Sequence, residues 1–559
     1  MDVLKDAAAT AIYGAQGANG VIIITTKESK SGSNKTIFNV DYTGYVGWKK
    51  IAKKYEMLNT RDFVLMQYEY AYLSKGASNL PTNFNTYFDQ YYQDNGKVST
   101  MVTPINELLD YWGSTQGTDW QDETFGRTGF NSNHNVSVSG GNDNANFNLS
   151  FNRIDDIAIM EGSEYSRNNI NFKSKFKPVK DLTIGFNSRY SNTGVLGSGT
   201  NTSEDAGSKT ESRVRNAIAY TPITLLSKDA TSLDDEESFG SLYDPLTTIE
   251  DNYKNKIDTK WGINGYISYK FLKNFTFRSD LGYESRQIET QRFYGPTTYY
   301  SRAGDGFTFA GGIAGKSSAF LIDQNMSTLR NSNTLEYKKS FNKSHNLNAL
   351  LGHEVIVNKG QTYTFLGAGY ESNFSGKEVF IYPNLATYSN LRNFIDPTDN
   401  MLSFFGRVNY DYLGRYYLTA TMRADGSTRF DKSNQWGYFP SLAAAWRVID
   451  EEFMGSSKNW ISNLKARLSY GKAGNNNVDL GYLHLDYLTS TSAYMENFSN
   501  ILTAGGSEKI AANPNLKWET TSTRNFGIDY GFFNERISGT VDLYWNTTND
   551  LIVKYKLPS

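Results

Sequence analysis

The sequence has no cysteine, four histidines and eleven prolines in 559 residues. Without cysteine there are no disulfides, thiolate nucleophiles or cysteine-bound metals, although the redox compartment stays open. His134, His345, His353 and His484 are too far apart for a helical zinc motif. No apolar run reaches the roughly 18 residues of a membrane helix, and mean hydropathy is −0.53. That test does not touch a β-barrel, whose alternating strands average out polar. Residues 1–20 lack the basic start and apolar run of a secretory leader. Charge is nearly balanced, 56 Lys and Arg against 58 Asp and Glu. Nothing in it points to nucleic acid or a charged membrane surface as the partner.

What the chain has in quantity is Tyr (39), Phe (33) and Gly (48), residues of strands and turns. Apolar and polar residues alternate along many segments, the signature of strands with two unlike faces. In "ANFNLSFNR" Phe147, Leu149 and Phe151 oppose Asn146, Asn148 and Ser150. "NINFKSKF", "DLTIGFNSRY", "NFTFRSDLGY", "RNFGIDYGFF" and "RISGTVDLYW" repeat the pattern. Strands of about ten residues suit a tilted bilayer crossing, and a face rich in charge and amide suits a watery lumen. Short links ("KPVK" 177–180, "FLKN" 271–274, "LG" 413–414, "FNE" 533–535) alternate with long ones at about 49–132, 192–258, 285–325, 357–400 and 472–520. The link at 154–167 is intermediate. Tyr412, Tyr416, Tyr417, Trp436, Tyr438 and Trp446 near strand ends read as an interfacial girdle.

The expected fold is therefore all-β, a transmembrane antiparallel barrel with about fifteen strands between residues 35 and 546. A barrel with an open edge in lipid leaves backbone groups unpaired, so the chain reads as incomplete. Helices are expected at 59–75, capped by Asn59 or Thr60, and at 105–112. Residues 192–214 and 495–510 read as flexible loops.

The chemical motifs are weak. "GGIAGKSS" (311–318) has Ala310 where a phosphate loop needs glycine. "GAQGANG" (14–20) lacks the dinucleotide spacing and precedes an apolar strand, "VIIITT", expected to be buried on both faces. Its glycines read as turn formers. Acidic pairs such as Asp155–Asp156, Asp234–Asp235 and Glu451–Glu452 read as solvated turns. "RADGSTRFD" (423–431) reads as a polar hairpin loop without calcium-loop spacing. No enzyme signature, cofactor site or metal site is expected.

Several of these stretches together resemble one family. "VLKDAAATAIYGAQGANGVIIITTK" is similar to the end of the plug domain in SusC/RagA-type TonB-dependent outer-membrane transporters. "TDWQDETF" with "NHNVSVSGGNDNANFNLSFN", then "FFGRVNYDYLGRYYLTATMRADGSTRFDKSNQWGYFPSLAAAWRVIDEEFM", "LKARLSYGKAGNN" and "NPNLKWETTSTRNFGIDYGFF" follow the family's barrel in order. The resemblance implies a plug end at 1–30, marked by Lys5, Asp6, Tyr13, Gly14, Gly17, Asn19 and Gly20. It implies a partial barrel at 31–559, of an expected 22 strands, marked by Arg407, Tyr410, Arg423, Asp425, Gly426, Arg429, Phe430, Trp436, Phe439 and Pro440. It further implies import of an oligosaccharide across the outer membrane, a SusD-like lipoprotein partner, and TonB energised through ExbB and ExbD. A RagA-type peptide importer and a non-transporting adhesion barrel are the alternatives. A barrel-embedded hydrolase is a weaker one. The substrate-binding residues are left unassigned.

Overall fold

Alternation turns into one large antiparallel sheet. The computed structural model describes residues 2–4, 12, 14, 17, 21–23, 36–75, 104–197, 213–223, 245–296, 298, 316–371, 374, 376–396, 398–477, 487–490, 507–510 and 513–553. At the front, β1 (Asp2–Leu4) and β2 (Val21–Ile23) pair as a two-stranded ribbon. Then come β3 (Ile37–Lys49), β4 (Gly129–Gly141), β5 (Ala145–Ile157), β6 (Glu164–Val179), β7 (Leu182–Leu196), β8 (Lys254–Phe271), β9 (Phe275–Tyr294), β10 (Ser317–Phe341) and β11 (His345–Tyr370). After β12 (Tyr388–Ile395) follow β13 (Asp399–Tyr412), β14 (Tyr416–Ser427), β15 (Trp436–Arg447) and β16 (Ile461–Asn475). A small ribbon of β17 (Tyr487–Ser490) and β18 (Ser507–Ile510) precedes β19 (Glu519–Phe532) and β20 (Ile537–Asn549). Fifteen strands, from β3 to β20, pair each with its neighbour, and β12 adds to the far half of β11. Among the described residues β3 and β20 are unpaired with each other, and both are exposed on nearly every residue.

The tight turns all lie on one side. Leu272–Lys273, Asn342–Lys343 and Leu413–Gly414 have positive φ at both positions, the twist that two-residue hairpins need. Phe533–Asn534–Glu535 has it at three. Most of the long links lie on the other side. The fifteen strands of the main ladder run to 12–26 residues rather than about ten. Pairing continues past the apolar band through polar residues such as Gln287, Glu289 and Asp323. The expected links at 285–325 and 357–400 shrink accordingly to 295–316 and 371–398. Residues 192–196 belong to β7, Gly197 bends just past its end, 213–214 open a helix and 507–510 belong to β18; the rest of those two expected loops lies outside the described residues. The link at 154–167 contracts to 158–163.

The two faces of the sheet differ in kind. Leu402, Phe404 and Val408 on β13 are 37%, 51% and 44% exposed, while Ser403 between them is fully buried. The apolar face carries two aromatic bands. Phe404 stacks with Trp436 at 6.3 Å, and Tyr412 with Tyr416 at 6.2 Å. Positions 404 and 412 lie on one strand, about 26 Å apart along it at roughly 3.3 Å per residue, or about 20 Å along the membrane normal after tilt. That matches the height of a lipid-facing band between aromatic girdles.

Two helices form as expected in the first long link. α1 (Thr60–Lys75) is capped by Asn59, whose Oδ1 accepts from the Asp62 amide at 2.9 Å. It packs Phe63 and Val64 against Leu108, Leu109 and Trp112 of α2 (Ile105–Ser114). α3 (Trp120–Phe125), α4 (Arg213–Ala219) and α5 (Pro245–Asp251) form a second cluster, around Trp120, Phe125 and Ile249. Burial acts to raise the α3 N-cap Asp119, but the Lys54 ammonium and the Asp122 and Gln121 amides outweigh it. The carboxyl ends below the usual carboxylate range.

The β2 strand departs from expectation. Val21 and Ile23 are half-buried, but Ile22 is 59% exposed. A two-stranded ribbon covers one face only, so burial on both faces does not follow from composition.

Candidate functional site

The buried part of the polar face spans β11, β13 and β14. Glu354, Ser403 and Asp425 form one cross-strand row, and all three are buried. Arg423, two residues before Asp425, is 2% exposed. Its Nε donates to Asp425 Oδ1 at 2.7 Å, its Nη1 to the Ile12 carbonyl at 2.8 Å, and its Nη2 to Glu354 Oε1 at 3.5 Å. Its guanidinium also lies 5.1 Å from the Phe405 ring centroid. Arg330 Nε donates to Glu354 Oε2 at 2.7 Å. Two cations and two carboxylates thus neutralise one another. A buried charge is tolerated on those terms, because an unpaired one costs several kcal/mol.

This cluster joins two sequence motifs 411 positions apart. Gly14 is buried at φ +62, and a Cβ there would stand 2.2 Å from Arg423 Nε and 2.6 Å from Asp425 Oδ2. So Gly14 is glycine for close approach as well as for a turn. Gly17 is also buried. Lys5, Asp6, Tyr13, Asn19 and Gly20 lie outside the described residues.

The later motif residues take three different places. Arg407 faces the same side as Arg423, two residues along β13 from Phe405, which is the direct cross-strand partner of Arg423. Arg429 holds Asp399 with two bonds of 3.0 Å and the Asn476 carbonyl at 3.2 Å. Phe430 and Phe439 are buried with Trp518 in a wedge at the long-link end of β15. Gly474 makes room for that wedge, since a Cβ there would meet the Phe439 ring at 2.1 Å. Tyr410, Gly426, Trp436 and Pro440 lie on the apolar face. The Tyr410 hydroxyl bonds His345 Nδ1 at 2.6 Å, and the Gly426 backbone receives the Trp436 ring. The β15–β16 ladder starts at Ser441, one residue past Pro440, which has no N–H to give.

Two expectations need correcting. Arg423–Ser427 is strand, not hairpin loop, so only 428–435 turns. The polar run is polar because it faces a buried ionic cluster. Glu451 is no solvated turn acid: it accepts from Arg415 at 2.9 Å, Tyr416 at 2.6 Å and Trp446 at 2.9 Å. The Tyr416 hydroxyl, then Trp446 and Arg415, hold its carboxyl below the usual range. Asp155 and Asp156 are likewise in β5, paired with Arg153 and Lys49. Asp234 and Asp235 lie outside the described residues. Glu354 and Arg330, central to the cluster, carry no local sequence signal. Among the described residues no group of His, Cys, Asp or Glu could hold a metal.

On the long-link side, a cavity of about 700 Å³ lies between the link to α1 and the ends of α3 and α4. Tyr55, Met57, Phe63, Trp120 and Tyr220 line it.

Comparison with known proteins fits this geometry. A family model described as "TonB dependent receptor-like, beta-barrel" matches residues 211–559. TonB-dependent receptor SusC of Bacteroides thetaiotaomicron is 28% identical over the whole chain and 51% of its own length. TonB-dependent receptor P3 of Formosa agariphila is 28% identical over the whole chain and 50% of its length. The chain spans about half the length of these curated relatives. Among solved structures, the RagAB peptide transporter aligns with all of this chain and 59% of its own, at TM-score 0.75 and 23% identity. With the barrel match covering more than half of its residues, the chain belongs to the TonB-dependent receptor-like β-barrel family.

Proposed function

We propose that the protein imports an oligosaccharide across the outer membrane, driven by TonB, with a SusD-like lipoprotein over its long loops. In this reading residues 1–30 are the end of a plug and 31–559 a barrel wall. The observation that carries it is Arg423 on the polar wall, which donates to the Ile12 carbonyl and lies against Gly14. A passive pore or an adhesin has no need of an inner segment held by buried charge. The choice of sugar over peptide rests on the Tyr55, Trp120 and Tyr220 cavity, because aromatic faces suit sugar rings. The test is growth of a gene-deletion strain on single oligosaccharides or on peptides as sole carbon source, with the tagged protein purified from outer membranes. Loss of growth on an oligosaccharide, restored only where TonB is present, and co-purification of a lipoprotein support the reading. Loss on peptides alone, or growth independent of TonB, overturns it.

A further inference from the structure

The polar wall divides into two arcs of opposite character. On β6–β9, over residues 164–176, 182–196, 254–271 and 275–294, the register places odd positions of β6 and β7 and even positions of β8 and β9 on the polar face. All eleven Lys and Arg of these segments fall on that face. Three carboxylates share it: Asp258, Asp280 and Glu284. Each is already matched, to Arg286 at 2.6 Å, Arg278 at 2.6 Å and Lys260 at 2.9 Å. The opposite face of the same segments has no Lys or Arg at all. By contrast, the polar face of β13–β16 and β19 holds five cations and five carboxylates, and it is there that Arg423 seats Ile12. Charge has been sorted to one arc of one face, while the chain as a whole stays at −2.

The cationic arc contains a cavity of about 390 Å³. One cross-strand row, Lys173, Asn187, Asn264, Gly282 and Arg330, runs through it, and Lys175, Tyr266 and Arg278 border it. Glycine at 282 lets the Asn264 amide lie over the row, its Oδ1 standing 2.5 Å from where a Cβ would be. Cations and amides on a concave wall with low-dielectric surroundings focus field and raise the local concentration of anions. Rings of Lys and Arg serve the same purpose in anion-selective pores.

We propose that the β6–β9 arc is a binding wall for acidic oligosaccharides, whose uronate carboxylates or sulfate groups pair with Lys173, Lys175 and Arg189 while hydroxyls bond Asn187 and Asn264. This rests on the sugar-import reading and adds the substrate class to it. The neutral arc holds the N-terminal segment and the cationic arc faces the cargo, with Arg330, bonded to Glu354, standing where the two meet.

The test is calorimetric binding to the full-length protein from outer membranes, using length-matched probes: maltohexaose, hexagalacturonate, a chondroitin sulfate hexasaccharide and hexaglutamate. The expected result is that the uronate or the sulfated sugar binds at least about tenfold tighter than maltohexaose, with affinity falling as salt rises, because exposed charge is screened. Lys173→Gln/Lys175→Gln/Arg189→Gln should lose most of that preference, with wild-type heat-modifiable gel mobility as the folding control. Arg407→Gln, on the neutral arc, should keep it. Equal or tighter binding of maltohexaose, an unchanged triple variant, or binding by none of the probes overturns the proposal. Hexaglutamate binding alone retains the anion preference, and overturns both the acidic-sugar proposal and the sugar-import reading. Preference for maltohexaose overturns the acidic class and leaves sugar import standing.

Discussion

Replacing Gly14 with alanine should unseat the N-terminal segment, and the structure sets the size of the effect. The residue sits at φ +62, where an alanine costs about 1 kcal/mol. The new methyl would lie 2.2 Å from Arg423 Nε, against 3.4 Å for ordinary contact. The guanidinium must then withdraw by about 1.2 Å, and it is pinned by Asp425, Glu354 and the Ile12 carbonyl. Losing one such charged hydrogen bond costs about 1.5–3 kcal/mol. The sum is about 2.5–4 kcal/mol, a shift of roughly 10²–10³ in the docked-to-undocked ratio at 1.4 kcal/mol per tenfold. Trypsin cleavage at Lys5 or Lys27, followed in outer-membrane vesicles, reads that ratio when cleavage passes through the undocked state. Gly14→Ala should be cut about a hundredfold faster than wild type. In an Arg423→Ala background the same change should cost only its backbone part, leaving a coupling of about 2 kcal/mol or more. A wild-type cleavage rate, or equal cost in both backgrounds, refutes the reasoning.

Other predictions follow from the two faces and the rim. Val408 lies midway between Phe404 and Tyr412 on the lipid side, so Val408→Arg should destabilise the barrel by about 2–4 kcal/mol in folding titrations into bilayers. Gly474→Ala drives a methyl into the buried Phe439 ring and should cost about 1–3 kcal/mol by overpacking. A Phe439→Leu background should remove most of that cost. Glu451 has a depressed carboxyl, so its stabilising bonds are fully present above the ordinary Glu value of about 4.3 and are lost as pH falls through the depressed value. The melting temperature of the gel-resolved folded form should therefore fall less steeply on acidification in Glu451→Gln than in wild type.

The strands were legible because a period of two survives any partner. "KIDTKWGINGYISYKF" shows its lipid row in Ile257, Trp261, Ile263 and Ile267 without help from β7 or β9. Strand ends were not, because β9 and β10 go on pairing through polar residues that look like a loop from one strand alone. The ionic cluster was hidden for a related reason. Arg423 and Asp425 are polar, so they read as solvent-facing, and their burial depends on Gly14 some four hundred positions away. Glu354 stands between His353 and the apolar run Val355–Val357 in "HEVIV" and is identified only through the register that places it beside Ser403. The cationic arc was in reach of the sequence, since each lysine of β8 alternates with the lipid row. Net charge, averaged over the whole chain, cancelled it.

The most direct test is an experimental structure of the full-length protein in a lipid nanodisc, resolved well enough to place the Arg423 guanidinium. A direct hydrogen bond from Arg423 to the Ile12 carbonyl, with Gly14 packed against Asp425, is the expected result. An Arg423 turned into open lumen, with the N-terminal segment seated elsewhere or outside the barrel, contradicts the central claim.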